Sequence, residues 1–179
     1  MMFDPIKIYK LKSDVPDLKY ATEYAACMDV SAYLKFSSSI KSYSTDNKEI
    51  ELLVSQDKDG KDFIDIPASW RVLIPTGMIF DLPKDVHLKV YPRSGLSTKK
   101  GLNLINCTGI IDEDYINELF IPLYNNSIEK LRIYNGDRIA QIEVCNTLRV
   151  NTVELIERPS KKGNRDGGFG STGLSLTIS

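Results

Sequence analysis

Alternation is the feature that most limits what this chain can become. "VHLKVYP" sets Val86, Leu88 and Val90 on one face, and "ELFIPLYN" does the same for Leu119, Ile121 and Leu123. "KLRIY", "DRIAQIEV" and "NTVELIER" continue the pattern. Period-2 runs separated by Gly, Asn, Pro and Asp clusters read as strands and turns. Pro75-Thr76-Gly77, Asn125-Asn126-Ser127 and Asn135-Gly136-Asp137 supply the turn signals. No long stretch has a helical period; the best short helix, "SGLSTKKGL", starts near Ser94. The expected architecture is an all-β barrel or sandwich of short strands.

Two segments break the pattern. Residues 35–65 are rich in Ser, Lys and Asp and read as an insertion, with a hairpin turning at Asp59-Gly60. "SQDKDG" inside it is no calcium loop, because Ser55 and Ile66 stand where the first and twelfth ligands would be. The second segment, "ERPSKKGNRDGGFGSTG", is polar and glycine-rich and reads as a flexible arm. The expected organisation is one barrel domain over 1–160, the 35–65 insertion within it, and an arm over 161–179.

A chain of 179 residues fits one domain. Its net charge of −1 gives no electrostatic footprint for direct nucleic-acid binding or for a membrane surface. An anionic substrate must then be held by a few placed cations. Cys27, Cys107 and Cys145 form no C-x-x-C, which speaks against a disulfide framework or a zinc site. One histidine, His87, leaves little room for His-based metal or triad chemistry. With no apolar run of signal-peptide or membrane-spanning length, a reducing, cytoplasmic compartment is expected. The sequons at Asn106-Cys107-Thr108 and Asn125-Asn126-Ser127 would go unglycosylated there.

Four clusters carry candidate chemistry. In "YPRSGLSTKKGL", Arg93 offers a fork for phosphate oxygens, and Ser94 and Gly95 open a short helix with free N–H groups; taken alone, this is equally a solvated Pro-Arg turn. In "GIIDEDYINE", Asp112 follows an apolar run that holds it at a core edge, where a carboxylate could deprotonate water; the plain alternative is a charged turn. In "NGDRIAQIEV", Asp137 and Arg138 read first as a structural ion pair, and Gln141 reaches a ligand from the face of Ile139. "GGFGSTGLS" has part of the P-loop spacing, but Leu174 stands where the P-loop lysine belongs. Phosphate donors, one acid and a hydroxyl-bearing glycine loop together suit phosphoryl-type chemistry by positioning and charge stabilisation.

In order, "AACMDV", "PRSGLSTKKGL", "NCTGIIDEDY", "NGDRIAQIEV" and "RDGGFGSTG" resemble the five motifs of the trimeric dUTP pyrophosphatase (dUTPase) family, from Ala25 to Gly173. That resemblance implies a jelly-roll-like barrel, a homotrimer with active sites shared between subunits, and Mg²⁺ carried on the substrate triphosphate. It implies hydrolysis of dUTP to dUMP and pyrophosphate, which limits uracil in DNA and supplies dUMP for thymidylate synthesis. It makes Asp112 the acid that activates water, Tyr115 the ring under the deoxyribose, and Arg93, Ser94, Gly95 and Gln141 the phosphate binders. Backbone around Gly109 and Ile111 would read uracil with help from Asn106, and Asp29 would sit near the metal's water shell. In the arm, Phe169 would stack on uracil beside Gly170, Ser171 and Thr172 would bind the terminal phosphate, and Arg165 would approach the γ-phosphate. The arm would thus be a lid over a neighbouring subunit's site, which needs no P-loop lysine. Departures are Cys27 where the family has glycine, Ile116-Asn117 where it has Arg-Gly, and an arm arginine one place closer to the glycine pair. Two alternatives stand beside this: a dCTP deaminase of the same fold, and a protein partner bound at the 35–65 insertion.

Overall fold

The computed structural model describes residues 4–163. The alternating segments form antiparallel strands. In the first half of the chain these are β1 (Lys7–Lys10), β2 (Lys19–Tyr20), β3 (Met28–Ser31), β4 (Ser39–Tyr43), β5 (Glu49–Leu53), β6 (Ser55–Gln56), β7 (Asp62–Ile66), β8 (Arg71–Pro75) and β9 (Met78–Asp81). They are followed by β10 (Val86–Pro92), the helix α1 (Ser94–Lys100), β11 (Leu102–Leu104), β12 (Gly109–Ile111), β13 (Phe120–Asn125), β14 (Leu131–Tyr134) and β15 (Arg138–Asn146). One five-stranded sheet runs β12-β10-β15-β3-β2 and the other β11-β13-β8-β4-β5. Smaller sheets β1-β9 and β14-β7-β6 complete the jelly-roll-like arrangement.

The inward positions of the alternation build the core. Val30, Leu88, Val90, Ala140 and Ile142 from the first sheet join Ile40, Val72, Ile74, Ile121 and Leu123 from the second in one buried cluster. Each large aliphatic side chain so buried contributes about 1.5–3 kcal/mol relative to exposure.

Residues 35–65, which read from sequence as an insertion, are woven into this core. β4 pairs with β8, β7 pairs with β14, and Ile40, Val54, Ile64 and Ile66 are buried. The β6–β7 hairpin turns at Gly60, whose φ of 75° suits glycine, while Asp57 accepts the N–H groups of Asp59 and Lys61.

Asn125, at the end of β13, is fully buried and acts as a knot. Its Nδ2 donates to the carbonyls of Ile66, Pro67 and Glu129, and its Oδ1 accepts from Ser127. The α1 helix starts where Pro92 ends β10 and stops at Gly101, whose φ of 68° lets its N–H reach the Ser97 carbonyl. Lys99 and Lys100 lie in the last turn, where the helix dipole favours cations.

The compact unit spans residues 1–148, and 149–179 form a second unit. The described part of that second unit, 149–163, has no regular secondary structure and is exposed. "NTVELIER" is therefore not a strand here, although its sequence alternates. A period-2 pattern supplies a face but not a partner, and a strand forms only where a ladder is available.

Candidate active site

The first half of the site is a cleft of about 460 Å³ beside the start of α1, lined by Asp29, Arg93, Ser94, Gly95, Arg138 and Gln141 among others. Strand register brings these together: Asp29 on β3 lies opposite Gln141 on β15, which lies opposite Tyr91 on β10, with Arg93 just past Pro92. Asp29 sits between two cations. Its Oδ1 is 2.9 Å from Arg93 Nε, its Oδ2 is 2.8 Å from Arg138 Nη1, and its side chain is only 15% exposed. Arg93 Nη1 also donates to the Arg138 carbonyl at 3.0 Å, and Gln141 Nε2 donates to the Pro92 carbonyl at 2.9 Å. A Cβ added at Gly95 would meet no protein atom within 4 Å, so this glycine keeps the cleft open rather than serving packing.

This geometry changes two expectations. Arg138 does not pair with Asp137: Asp137 accepts the Tyr134 N–H at 2.9 Å and holds the turn, while Arg138 reaches across to Asp29. Asp29, placed by the resemblance near a metal's water shell, has both oxygens engaged by guanidinium groups. Its carboxylate holds the two arginines side by side.

The cause is a bulge. The β15–β3 register shifts between Arg138 and Ala140, so Ile139 and Ala140 are both buried and Gln141 faces the cleft, on the side away from Ile139. The adjacent apolar pair Ile139-Ala140 was the available sequence signal. Replacing Asp29 with alanine leaves two like charges facing each other, and kcat/KM should fall about tenfold through loss of positioning. A steady-state comparison with wild type checks this; an unchanged kcat/KM would remove Asp29 from the site.

Cys27 also lines this cleft; burial first, then the charges of Glu143, Cys145 and Asp29, push its thiol up from the ordinary range. It stays a neutral thiol at neutral pH and adds no negative charge against an anionic ligand.

The second half is a pocket of about 120 Å³ between β12 and β13, lined by Asn106, Gly109, Ile110, Ile111 and Phe120 among others. Gly109 lies opposite Val90, and a Cβ there would come within 3.3 Å of Val90 Cβ and 3.4 Å of Asn106 Nδ2. A side chain here would be tight, and Val90 or Asn106 would have to give by a few tenths of an ångström to admit it.

The turn after β12 carries four acids with different surroundings. The Glu113 carboxylate accepts the Asp85 N–H at 2.7 Å, and the Glu118 carboxylate accepts the Gly77 N–H at 2.8 Å. Asp112 and Asp114 are exposed, and no described residue bonds to their carboxylates. The Asp112 carbonyl accepts the Tyr115 N–H at 3.1 Å, so the free carboxylate and the ring belong to one turn.

Within one chain, the Asp112 end of the β12–β10 ladder and Arg93 lie apart. Ile111 lies opposite Leu88, whereas Arg93 is five positions further along β10. At about 3.3 Å per residue, roughly 16 Å separates Asp112's end of the ladder from Arg93. Arg165, Phe169, Gly170, Ser171 and Thr172 lie outside the described residues. Among the described residues, no group of three or more His, Cys, Asp or Glu is placed to hold a metal.

Comparison with known proteins places these features. The sequence profile of the dUTPase family matches residues 61–173. A deoxyuridine 5'-triphosphate nucleotidohydrolase of Finegoldia magna is 43% identical over 105 residues, covering 58% of this chain and 71% of that protein. One from Cytophaga hutchinsonii is 36% identical over 154 residues, covering 86% and 82%. In structure, the Staphylococcus bacteriophage 80alpha dUTPase with dUPNHPP superposes with a TM-score of 0.72 at 17% identity, over 96% of this chain and 100% of that one. The Streptococcus mutans dUTPase superposes with a TM-score of 0.59 at 21% identity, over 81% and 98%.

Proposed function

The chain belongs to the dUTPase family, and on that premise we propose how its residues hydrolyse dUTP to dUMP and pyrophosphate. The observation that supports the assignment of roles is the contrast within "DEDYINE": Glu113 and Glu118 are tied to backbone N–H groups, the Asp112 and Asp114 carboxylates are unengaged among the described residues, and of these two only Asp112 is joined to Tyr115, by its carbonyl. Asp112 is the general base. It takes a proton from water as that water attacks the α-phosphorus, and the bond to the α–β bridging oxygen breaks to release pyrophosphate. Arg93 and Gln141, with the Ser94 and Gly95 N–H groups, hold the phosphates, and Arg138 joins them. Uracil enters the pocket at Asn106, Gly109 and Ile111, with Tyr115 under the deoxyribose. Mg²⁺ arriving on the triphosphate supplies charge neutralisation; hard cations of this kind prefer phosphate oxygens and water to a protein cage.

The roughly 16 Å between Asp112's end of the ladder and Arg93 favours a nucleotide held by two chains over one held by a single chain. A homotrimer in which one subunit supplies the Asp112 turn and another supplies the Arg93 cleft answers this. The 161–179 arm, with Arg165, Phe169, Gly170, Ser171 and Thr172, is the lid of that shared site. Strands of the 35–65 stretch belong to the barrel, and the turns between them remain available to a protein partner.

The test is release of pyrophosphate with Mg²⁺ from dUTP, beside dCTP, dTTP and UTP. Release from dUTP alone is expected, because the base pocket and the sugar platform must both be satisfied. Ammonia from dCTP would instead support the deaminase reading, which the relatives named for dUTP hydrolysis do not favour.

A further inference from the structure

We propose that Glu118 is a positioning residue, which fixes the Tyr115 ring and the turn carrying Asp112 against the buried 75–78 corner of the barrel. This rests on the roles given above to Tyr115 and Asp112. The turn itself is exposed and has little to hold it: Tyr115 is 37% exposed and Ile116 72%. Its order must come from tethers: Glu113 holds one end through the Asp85 N–H, and those at the Tyr115 end converge on Glu118. The Tyr115 hydroxyl donates to the Glu118 carbonyl at 2.9 Å, and the Glu118 carboxylate accepts the Gly77 N–H at 2.8 Å. One residue on, the Leu119 N–H donates to the Met78 carbonyl at 2.8 Å, and the Leu119 carbonyl accepts the Thr76 hydroxyl at 2.7 Å.

The corner on the other side of these bonds has no freedom to follow. Thr76 is fully buried and Met78 is 1% exposed. Gly77 has a φ of 70°, and a Cβ there would come within 2.5 Å of Val15 Cγ2. Glu118 is therefore the joint between an exposed turn and a rigid base. Its carbonyl sets where the ring edge lies, and its charge-assisted bond to Gly77 keeps that carbonyl in place. Through the Tyr115 N–H bond to the Asp112 carbonyl, the same tether reaches the base.

A ring beneath a sugar discriminates by contact, so a small shift costs selectivity before it costs folding. Glu118→Ala should lower the ratio of kcat/KM for dUTP to that for UTP about tenfold. Glu118→Gln keeps an oxygen that can accept the Gly77 N–H, and the ratio should stay within about twofold of wild type. Hydrogen exchange at the amides of 113–117 should quicken in E118A and not in E118Q, and this readout needs no turnover. An unchanged dUTP/UTP ratio in E118A, with only a lower Tm, would make Glu118 merely structural and overturn the inference. Unchanged exchange would overturn the tether itself. If wild-type protein failed to hydrolyse dUTP, the functional reading would fall, while the exchange comparison would still decide the tether.

Discussion

Asp112→Asn is expected to lower dUTP turnover by about 10²–10⁴-fold, the contribution of a placed general base. In barrier terms this is about 3–5 kcal/mol. The fold should not notice the change. Asp112 is exposed, no described residue bonds its carboxylate, and its carbonyl still accepts the Tyr115 N–H. Surface substitutions of this kind usually alter stability by no more than about 0.5 kcal/mol. KM should move little, since the carboxylate acts on water rather than on the nucleotide. Pyrophosphate release measured beside a thermal melt separates these effects. Turnover within tenfold of wild type, at an unchanged Tm, would assign the base elsewhere.

The second large effect is a recovery. Asp112→Asn and Arg93→Ala should each be inactive alone. Co-expressed with different tags and purified as mixed trimers, they should regain about one third of the wild-type sites, because a ring of two chains of one kind and one of the other has a single junction that joins an intact Asp112 to an intact Arg93. The reason is the spacing along β10, which sets Asp112's end of the β12–β10 ladder apart from the Arg93 cleft in one chain. Mixed trimers of correct size with no recovered activity would mean that one chain supplies both residues.

Much of this was legible in the sequence. Val86, Leu88 and Val90 announced β10, and Leu119, Ile121 and Leu123 announced the inner face of β13. "PRSG" announced the short helix, since Pro92 ends the strand and Gly101 ends the turn. What escaped had physical causes. The strand pairing of the 35–65 stretch is hard to read because β4 and the residue after it turn serines inward: Ser42 and Ser44 are buried with Ile40, and the Ser42 hydroxyl is satisfied by the Ile50 carbonyl. A Ser-rich strand has no hydrophobic face to read. Arg138 was assigned to its neighbour Asp137 because sequence proximity is visible and a register shift is not. The bulge at Ile139-Ala140 turns Arg138 toward Asp29, which is 109 residues away in the chain. "NTVELIER" failed in the opposite direction, with a clear alternation but no ladder to join among the described residues.

The two asparagines at sequons, one in the base pocket and one in the buried knot, bear on how this protein can be manufactured. A glycan attaches to the asparagine side-chain nitrogen. At Asn125 that nitrogen donates to three carbonyls in a fully buried setting, so a sugar added during synthesis would leave a chain that cannot close its barrel. At Asn106 the residue is exposed at the pocket rim, so a sugar there would leave a folded protein with the pocket between β12 and β13 stoppered. A secretory expression host would thus yield a mixture of aggregate and inert product from an intact gene. A host that makes the chain away from the glycosylation machinery avoids both losses.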